Sequence, residues 1–580
     1  MDTQPATSPH RYSAAFSQLY FRPVCLLLLS YWLLRSGLQT VRRVISYYTP
    51  LPTWDCWRVV FNLDDYRSFH FGVLWVPHNE HRIVFPELVF AADVLLLHGR
   101  LILPLALSFL CYVGTFAALS YPVCLDCRLT KSERFIAVTL AGIVVFWQGC
   151  ASVLGSPFLI QWTMMQFAAA CSFVFLSRLK TATFSLPLLG VVAAATVATY
   201  SSGNALVLWP LIVFWALFLK LSRSQLFALT SAGVIEIALY FVNYHVAGAL
   251  NLRNFFVHPF YSLGYIASYL SMPFGSVGPA SAGVAAGLLS IAGTGALFLF
   301  AARKRIHLLP AATVLFGYYV FTLLTALLTA AGRMDPGDGQ FVAAKVSRYV
   351  TVPQMHWGVF ILLCLWIVWR QSSAKQTGNA LALGLGILLF VCLPQLTPWL
   401  DTTANYFAEQ QLQTLSVESG LRDKEILRKI YPDPATVSAG LAKLQQLDLS
   451  IYHRFRGRWL GQPVRLFSPV RNTMPGAITQ MTRVESGFQI TGWADFSEWK
   501  RPFQWVMITD ESGRIIGFGS RPPAGFPFSV RSLTNPSPFG WVGFVAEKWQ
   551  PKAISAYIVG PSRNELFPLS GSFPVPKESH

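Results

Sequence analysis

The sequence predicts a polytopic α-helical membrane protein of about eleven spans, followed by an extracytoplasmic helical linker and a small β-domain. Three observations predict it. Hydrophobic residues make up 53% of the 580-residue chain and charged residues 12%, about half the charged share of a soluble protein. Apolar stretches near the roughly 20 residues of a spanning helix recur through residues 1–400. Lys and Arg gather in short loops between those stretches, the positive-inside pattern. Mean hydropathy is +0.45.

The elements follow in order. Met1 to Gln18 is polar with no cleavage pattern, so the first apolar stretch, residues 21–40, reads as a retained anchor. A polar-aromatic outer loop follows, within residues 41–100. Residues 83–97 are apolar but carry Glu87 and Asp93, which suits an interfacial helix or a short span. Further spans are expected at 101–121, 135–148, 158–176, 186–200, 205–219, 227–242, 282–300, 308–330, 351–369 and 380–396.

Charge sets the orientation. Arg128-Lys131-Arg134, Arg178-Lys180, Lys220-Arg223, Arg303-Lys304-Arg305 and Arg370-Lys375 alternate with loops poor in Lys and Arg. A cytoplasmic basic set puts the N-terminus inside and the C-terminal domain outside, in the periplasm or cell exterior. Arg42-Arg43 runs against that pattern. The formal charge of +18 is explained by these loops, and no nucleic-acid motif accompanies it. The nine cysteines end at Cys392, so the tail has no disulfide, and the lone pair Cys124/Cys127 lacks the second pair of a zinc ribbon.

The tail divides into a helical linker, 401–460, and a β-sandwich-like domain, 461–580. Residues 405–416, 421–430 and 437–449 read as helices, with Pro432 and Pro434 ending the second. Strands are expected at 487–493, 504–509, 515–518, 541–546 and 553–559, with a turn at Asp510 to Gly513.

Charge beside hydrocarbon is costly, so the polar clusters at the outer face are the candidate site. Asp55 lies between Trp54 and Trp57. It is a candidate general base toward a hydroxyl, or an interfacial partner for Arg58. Asp64 and Asp65 are a second acidic candidate; adjacent carboxylates suit a divalent cation such as Mg2+ or Mn2+, and equally a helix start. In His78-Asn79-Glu80-His81-Arg82 the imidazoles are spaced for one face of a helix. His78, Glu80 and His81 then orient substrate, with Arg82 on phosphate, or the segment is a salt-bridge cluster that fixes the loop. Arg348 and Tyr349 before the 351–369 span suit a phosphate or diphosphate, and Arg253 and His258 are candidates for the same pocket. No Walker A, Rossmann or GxSxG motif occurs, so no nucleotide cofactor is expected.

An acid in the first outer loop (Thr53-Trp54-Asp55-Cys56-Trp57), an amphipathic stretch before the second span and an external soluble tail together resemble the GT-C superfamily of membrane glycosyltransferases. His78 to Arg82 and Ser347 to Tyr349 look like motifs of bacterial multi-span proteins grouped with them. The double acid of some members is absent, since Cys56 follows Asp55. The base is then either Asp55 or the Asp64-Asp65 pair. The resemblance implies inverting transfer of a sugar from a polyprenyl-phosphate donor to an envelope glycan or glycolipid acceptor, outside a bacterial inner membrane. Competing expectations are a glycolipid transporter or flippase, a polysaccharide polymerase or ligase, and a non-enzymatic envelope assembly protein.

Overall fold

The computed structural model describes residues 10–179, 185–244, 252–274, 280–338, 341–453, 456, 458–469, 473–495, 505–521, 540–560 and 565–575. The protein is a multi-pass membrane protein with a C-terminal mixed β-sheet domain. Every stretch read as a span falls in a helix. Six helices are long and apolar enough to cross a membrane: Ile102–Leu125, Pro157–Leu176, Ser281–Arg303, Pro310–Arg333, Thr351–Trp369 and Lys375–Gln395. Lys131–Val145 and Gln148–Leu154, bent by 44°, make a seventh if they form one span. Leu186–Thr199 and Gly203–Phe218 are shorter apolar helices, and His10–Tyr47 and Arg223–Tyr240 complete the set. By length and composition the described residues thus supply six or seven spans, fewer than the expected eleven.

Local chemistry starts these helices. Thr130 and Glu133 form a capping box at Lys131–Val145, and Ser222 and Gln225 do the same at Arg223–Tyr240. Asp93 accepts from the backbone N–H groups of Leu101 (2.6 Å) and Leu103 (2.9 Å), which satisfies the first turn of Ile102–Leu125. The buried centre of the bundle is Thr351–Trp369. It packs so closely on Lys131–Val145 that a Cβ on Gly358 would stand 2.6 Å from Val145 Cγ2. A helix not foreseen, Pro259–Leu270, buries Tyr265, Ile266 and Tyr269 in the stretch read as an outer loop.

The first loop is built into a second core with the linker. Trp57, Val60, Leu63 and Tyr66 pack with Phe90 and Val94 of Val84–Leu97 and with Leu427, Ile430, Val437 and Leu441 of the linker. The apolar stretch with Glu87 and Asp93 folds as the helix Val84–Leu97. Polar ties add register: Thr49 to Thr414 (2.6 Å), Gln410 to Thr53 (3.0 Å) and Ser450 Oγ to the carbonyl of Pro50 (2.6 Å). Thr397–Glu418 therefore clamps the loop from the C-terminal side.

The β-domain strands are β1 (Ser468–Pro469), β2 (Gly476–Val484), β3 (Gly487–Ala494), β4 (Trp505–Asp510), β5 (Ile515–Ser520), β6 (Gly540–Ala546), β7 (Ala553–Val559), β8 (Glu565–Pro568) and β9 (Phe573–Pro574). They form one sheet, ordered β1-β8-β7-β4-β5-β6-β3-β2 with β9 on β7. β1 and β8 pair in parallel, and the other strand pairs among the described residues are antiparallel. Among the described residues the strands join in one hydrogen-bonded sheet with two buried faces. Alternation explains it: Val506 and Ile508 join one core, while Met507, with Phe518 and Phe544, faces Leu415 and Leu421 beside the linker.

Candidate functional site

The site gathers where the loop, the linker and the ends of several helices meet. Asp55 lies in the 3₁₀ turn Trp54–Trp57, anchored by the fully buried Trp57. Its side chain is 54% exposed, so it remains reachable. Arg58 is not its partner. Arg58 instead donates to the buried Glu87, which also accepts from the Tyr66 hydroxyl, and Arg58 braces the carbonyl of Val76 at 2.8 Å.

His78 to His81 form a tight hairpin rather than a helical turn. The His78 N–H donates to the His81 carbonyl (2.8 Å) and the His81 N–H to the His78 carbonyl (2.9 Å). Asn79 takes the left-handed conformation this needs, φ +51°. The hairpin still holds both imidazoles toward the site. His78 packs edge-on against Phe158 at 4.8 Å, with Nε2 3.6 Å from Asp55 Oδ1. That Nε2 is buried and has no hydrogen-bond partner among the described residues.

Glu80 pairs with Arg333, at the end of Pro310–Arg333, and lies 3.7 Å from His81 Nε2. His81 Nδ1 accepts from the Gly203 N–H at 3.2 Å. Burial holds the His81 imidazole below its ordinary pKa, which fits an acceptor Nδ1. Burial pulls Glu80 upward, but His81 and Arg333 outweigh it and keep its carboxyl below the usual value. His78, 3.6 Å away, with Arg348 and Arg333 behind it, holds the Asp55 carboxyl below its usual range despite burial. Asp55 is therefore a carboxylate near neutral pH.

The remaining sequence candidates separate. Arg348 is exposed, lies over the ring of Tyr349 at 5.2 Å and has no carboxylate within ion-pair distance among the described residues. Tyr349 is buried between Trp162 and Tyr269. Arg82 is fully buried; it donates to the carbonyls of Tyr240 (2.6 Å), Trp75 and Val242. It braces the hairpin, and its guanidinium is committed to backbone. Asp64 is exposed and pairs with Lys443 at 2.6 Å, while Asp65 is beside it in the short helix Leu63–Arg67. No group of three or more His, Cys, Asp or Glu among the described residues is arranged to hold a metal ion. Asp64 is turned to the Lys443 ammonium. Arg253 and His258 are exposed; their side chains make no hydrogen bond or ion pair with Asp55, His78, Glu80 or Arg348 among the described residues.

Two contributors escape sequence reading. Arg333 reaches the hairpin across 253 positions of chain; its place at a span end is the same signal that singles out Arg348. Tyr406 of Thr397–Glu418 faces Asp55 closely enough for that carboxylate, after burial, to raise its phenol pKa. Nothing in the linker sequence marks it.

An apolar groove of about 520 Å³ lies between Tyr48, with the last turns of His10–Tyr47, and the first turns of Ile102–Leu125. Val44, Tyr48, Leu105 and Phe109 line it, and the Tyr48 hydroxyl donates to the Arg100 carbonyl at 2.9 Å. No family model, curated protein or solved structure matches this chain. The chemical reading therefore rests on geometry: an ionised, reachable carboxylate beside imidazole, with two arginines near it and an apolar groove on the same end of the bundle.

Proposed function

We propose that the protein is an inverting glycosyltransferase of the GT-C kind, which moves a sugar from a polyprenyl-phosphate donor to an envelope glycan or glycolipid. The observation that carries this reading is the Asp55 carboxylate, exposed and ionised, near Arg348, a cation with no ion-pair partner among the described residues. Asp55 takes the proton of an acceptor hydroxyl, and that oxygen attacks the anomeric carbon from the face opposite the phosphate. Arg348 stabilises the charge that grows on the departing phosphate. The apolar groove beside Tyr48 suits a prenyl chain. Membrane lipids surround the bundle, whose basic loops face the cytoplasm of a bacterial cell and whose β-domain lies in the periplasm or outside. Asp64 serves the loop–linker contact, and Arg82 serves the hairpin.

Purified protein in nanodiscs, given radiolabelled polyprenyl-phosphate sugars and membrane glycans, tests this. Transfer that falls with Asp55→Ala and Arg348→Ala supports it, and transfer insensitive to both rejects it. Lipid movement without transfer is the competing reading. It is favoured by His356, fully buried within the bundle and hydrogen-bonded to Ser290 (3.1 Å) and Thr322 (2.9 Å), since an ionisable group at that depth often marks a pathway.

A further inference from the structure

A carboxylate whose charged form is favoured by its surroundings is a weak base, and a catalytic base works best when its proton affinity matches the working pH. Asp55 alone has this defect: its neighbours His78, Arg348 and Arg333 hold its proton affinity down. The geometry of His78 offers the remedy. Its Nε2 is buried, unbonded among the described residues and 3.6 Å from Asp55 Oδ1. Its backbone is locked on both sides by the hairpin bonds to His81, and its ring is fixed against Phe158. A polar atom left unpaired inside a structure costs about 1–3 kcal/mol, so a fixed, unpaired ring nitrogen aimed at a carboxylate calls for a role.

We infer that His78 is a positioning residue for Asp55, receiving at Nε2 the proton that Asp55 removes from an acceptor hydroxyl. This rests on the transfer reading above. The relay starts from an Asp55 carboxylate and a His78 Nε2 that bears no proton. The hydroxyl O–H bond breaks, the proton goes to Asp55, and the oxygen keeps the electron pair that forms the new bond to the sugar. The phosphate leaves with the electrons of the broken bond. The proton then moves from Asp55 to His78 Nε2, and a carboxylate faces an imidazolium. Imidazole suits that task because its charge changes near neutral pH. The charged and titratable groups around the pair are Asp55 itself, His81 and Glu80 of the same hairpin, Arg333, Arg348, and Tyr406 beyond Asp55. His81 is excluded from the role because its Nδ1 is held by Gly203 and its Nε2 faces Glu80.

A substrate-free titration tests the pair apart from the transfer reading. The infrared carboxyl band of Asp55, isolated as the difference between wild type and Asp55→Asn in nanodiscs, is followed against pH. His78→Gln and His78→Asn, each checked for an unchanged unfolding midpoint, are expected to move that band's titration to higher pH. An unmoved titration in both variants overturns the inference. In the transfer assay, His78→Gln is expected to lower kcat about tenfold or more with KM unchanged, and added imidazole to restore part of the loss. An unchanged kcat, or a loss confined to KM, also overturns it. If the titration moves and wild-type protein transfers no sugar, the pair stands and the glycosyltransferase reading falls.

Discussion

Asp64 Oδ2 lies 2.6 Å from Lys443 Nζ, which joins the short helix Leu63–Arg67 to the linker helix Pro434–Gln446. This contact engages one of the two acidic candidates of the first loop. Asp64 is turned outward to the linker, while Asp55 faces His78. Asp64→Asn is therefore expected to leave sugar transfer within about twofold of wild type and to cost about 0–1 kcal/mol of stability, the worth of an exposed pair. Parallel transfer assays and thermal unfolding check both. Loss of transfer comparable to that of Asp55→Ala would contradict the assignment.

Arg82 is expected to be a folding residue. Removing its side chain leaves the carbonyls of Tyr240, Trp75 and Val242 without their donor, at about 1–3 kcal/mol each. Arg82→Ala should lower stability by about 3 kcal/mol or more. Arg82→Lys should recover little, because a compact ammonium does not span the planar fork of a guanidinium. The check is unfolding in detergent. Full stability with lost phosphate affinity would restore the ligand role expected from sequence.

Glu87 is expected to matter in the same way. It is fully buried and accepts from both Arg58 and Tyr66. Glu87→Ala strands the Arg58 guanidinium, and breaking one side of a buried pair costs about 3–5 kcal/mol. A double change, Glu87→Leu with Arg58→Met, should recover much of that loss.

How much of this was legible in the chain follows from what each signal measures. Long apolar runs report helices directly, so every expected span fell in one. The Pro259–Leu270 helix was hidden because His258 and Ser271 flank a short run mixed with serines, and burial there comes from neighbours. β2 was hidden for a related reason: Gly476–Val484 alternates with polar residues on an edge. The imidazole spacing suggested one face of a helix, but the left-handed Asn79 makes that segment a hairpin. Asp55 was visible as an acid between tryptophans. Its link to Arg333 and Tyr406 depends on tertiary packing that no local pattern records.

Stability should fall in mild acid through His81. Its folded pKa is lowered by burial, from 6.5 to about 4, so the unfolded chain binds the proton more readily in that window. Stability is then fully present above about pH 6.5 and declines as pH drops toward about 4. Protonation would also set a proton on Nδ1 against the Gly203 N–H. The lowered Glu80 and Asp55 act with the same sign at lower pH, since their contribution is lost as pH falls through their folded values. Unfolding midpoints measured from pH 7 to pH 4 should show this slope, and His81→Asn should flatten it. A midpoint that rises with acid would contradict the assignment of a neutral, buried His81.

The most direct measurement is single-turnover transfer of a radiolabelled sugar from polyprenyl phosphate by wild-type protein, Asp55→Asn and Arg348→Ala in one nanodisc preparation. Product is predicted with wild type, with a loss of about a hundredfold or more for Asp55→Asn and a smaller loss for Arg348→Ala. Product formed at the wild-type rate by Asp55→Asn would contradict the account.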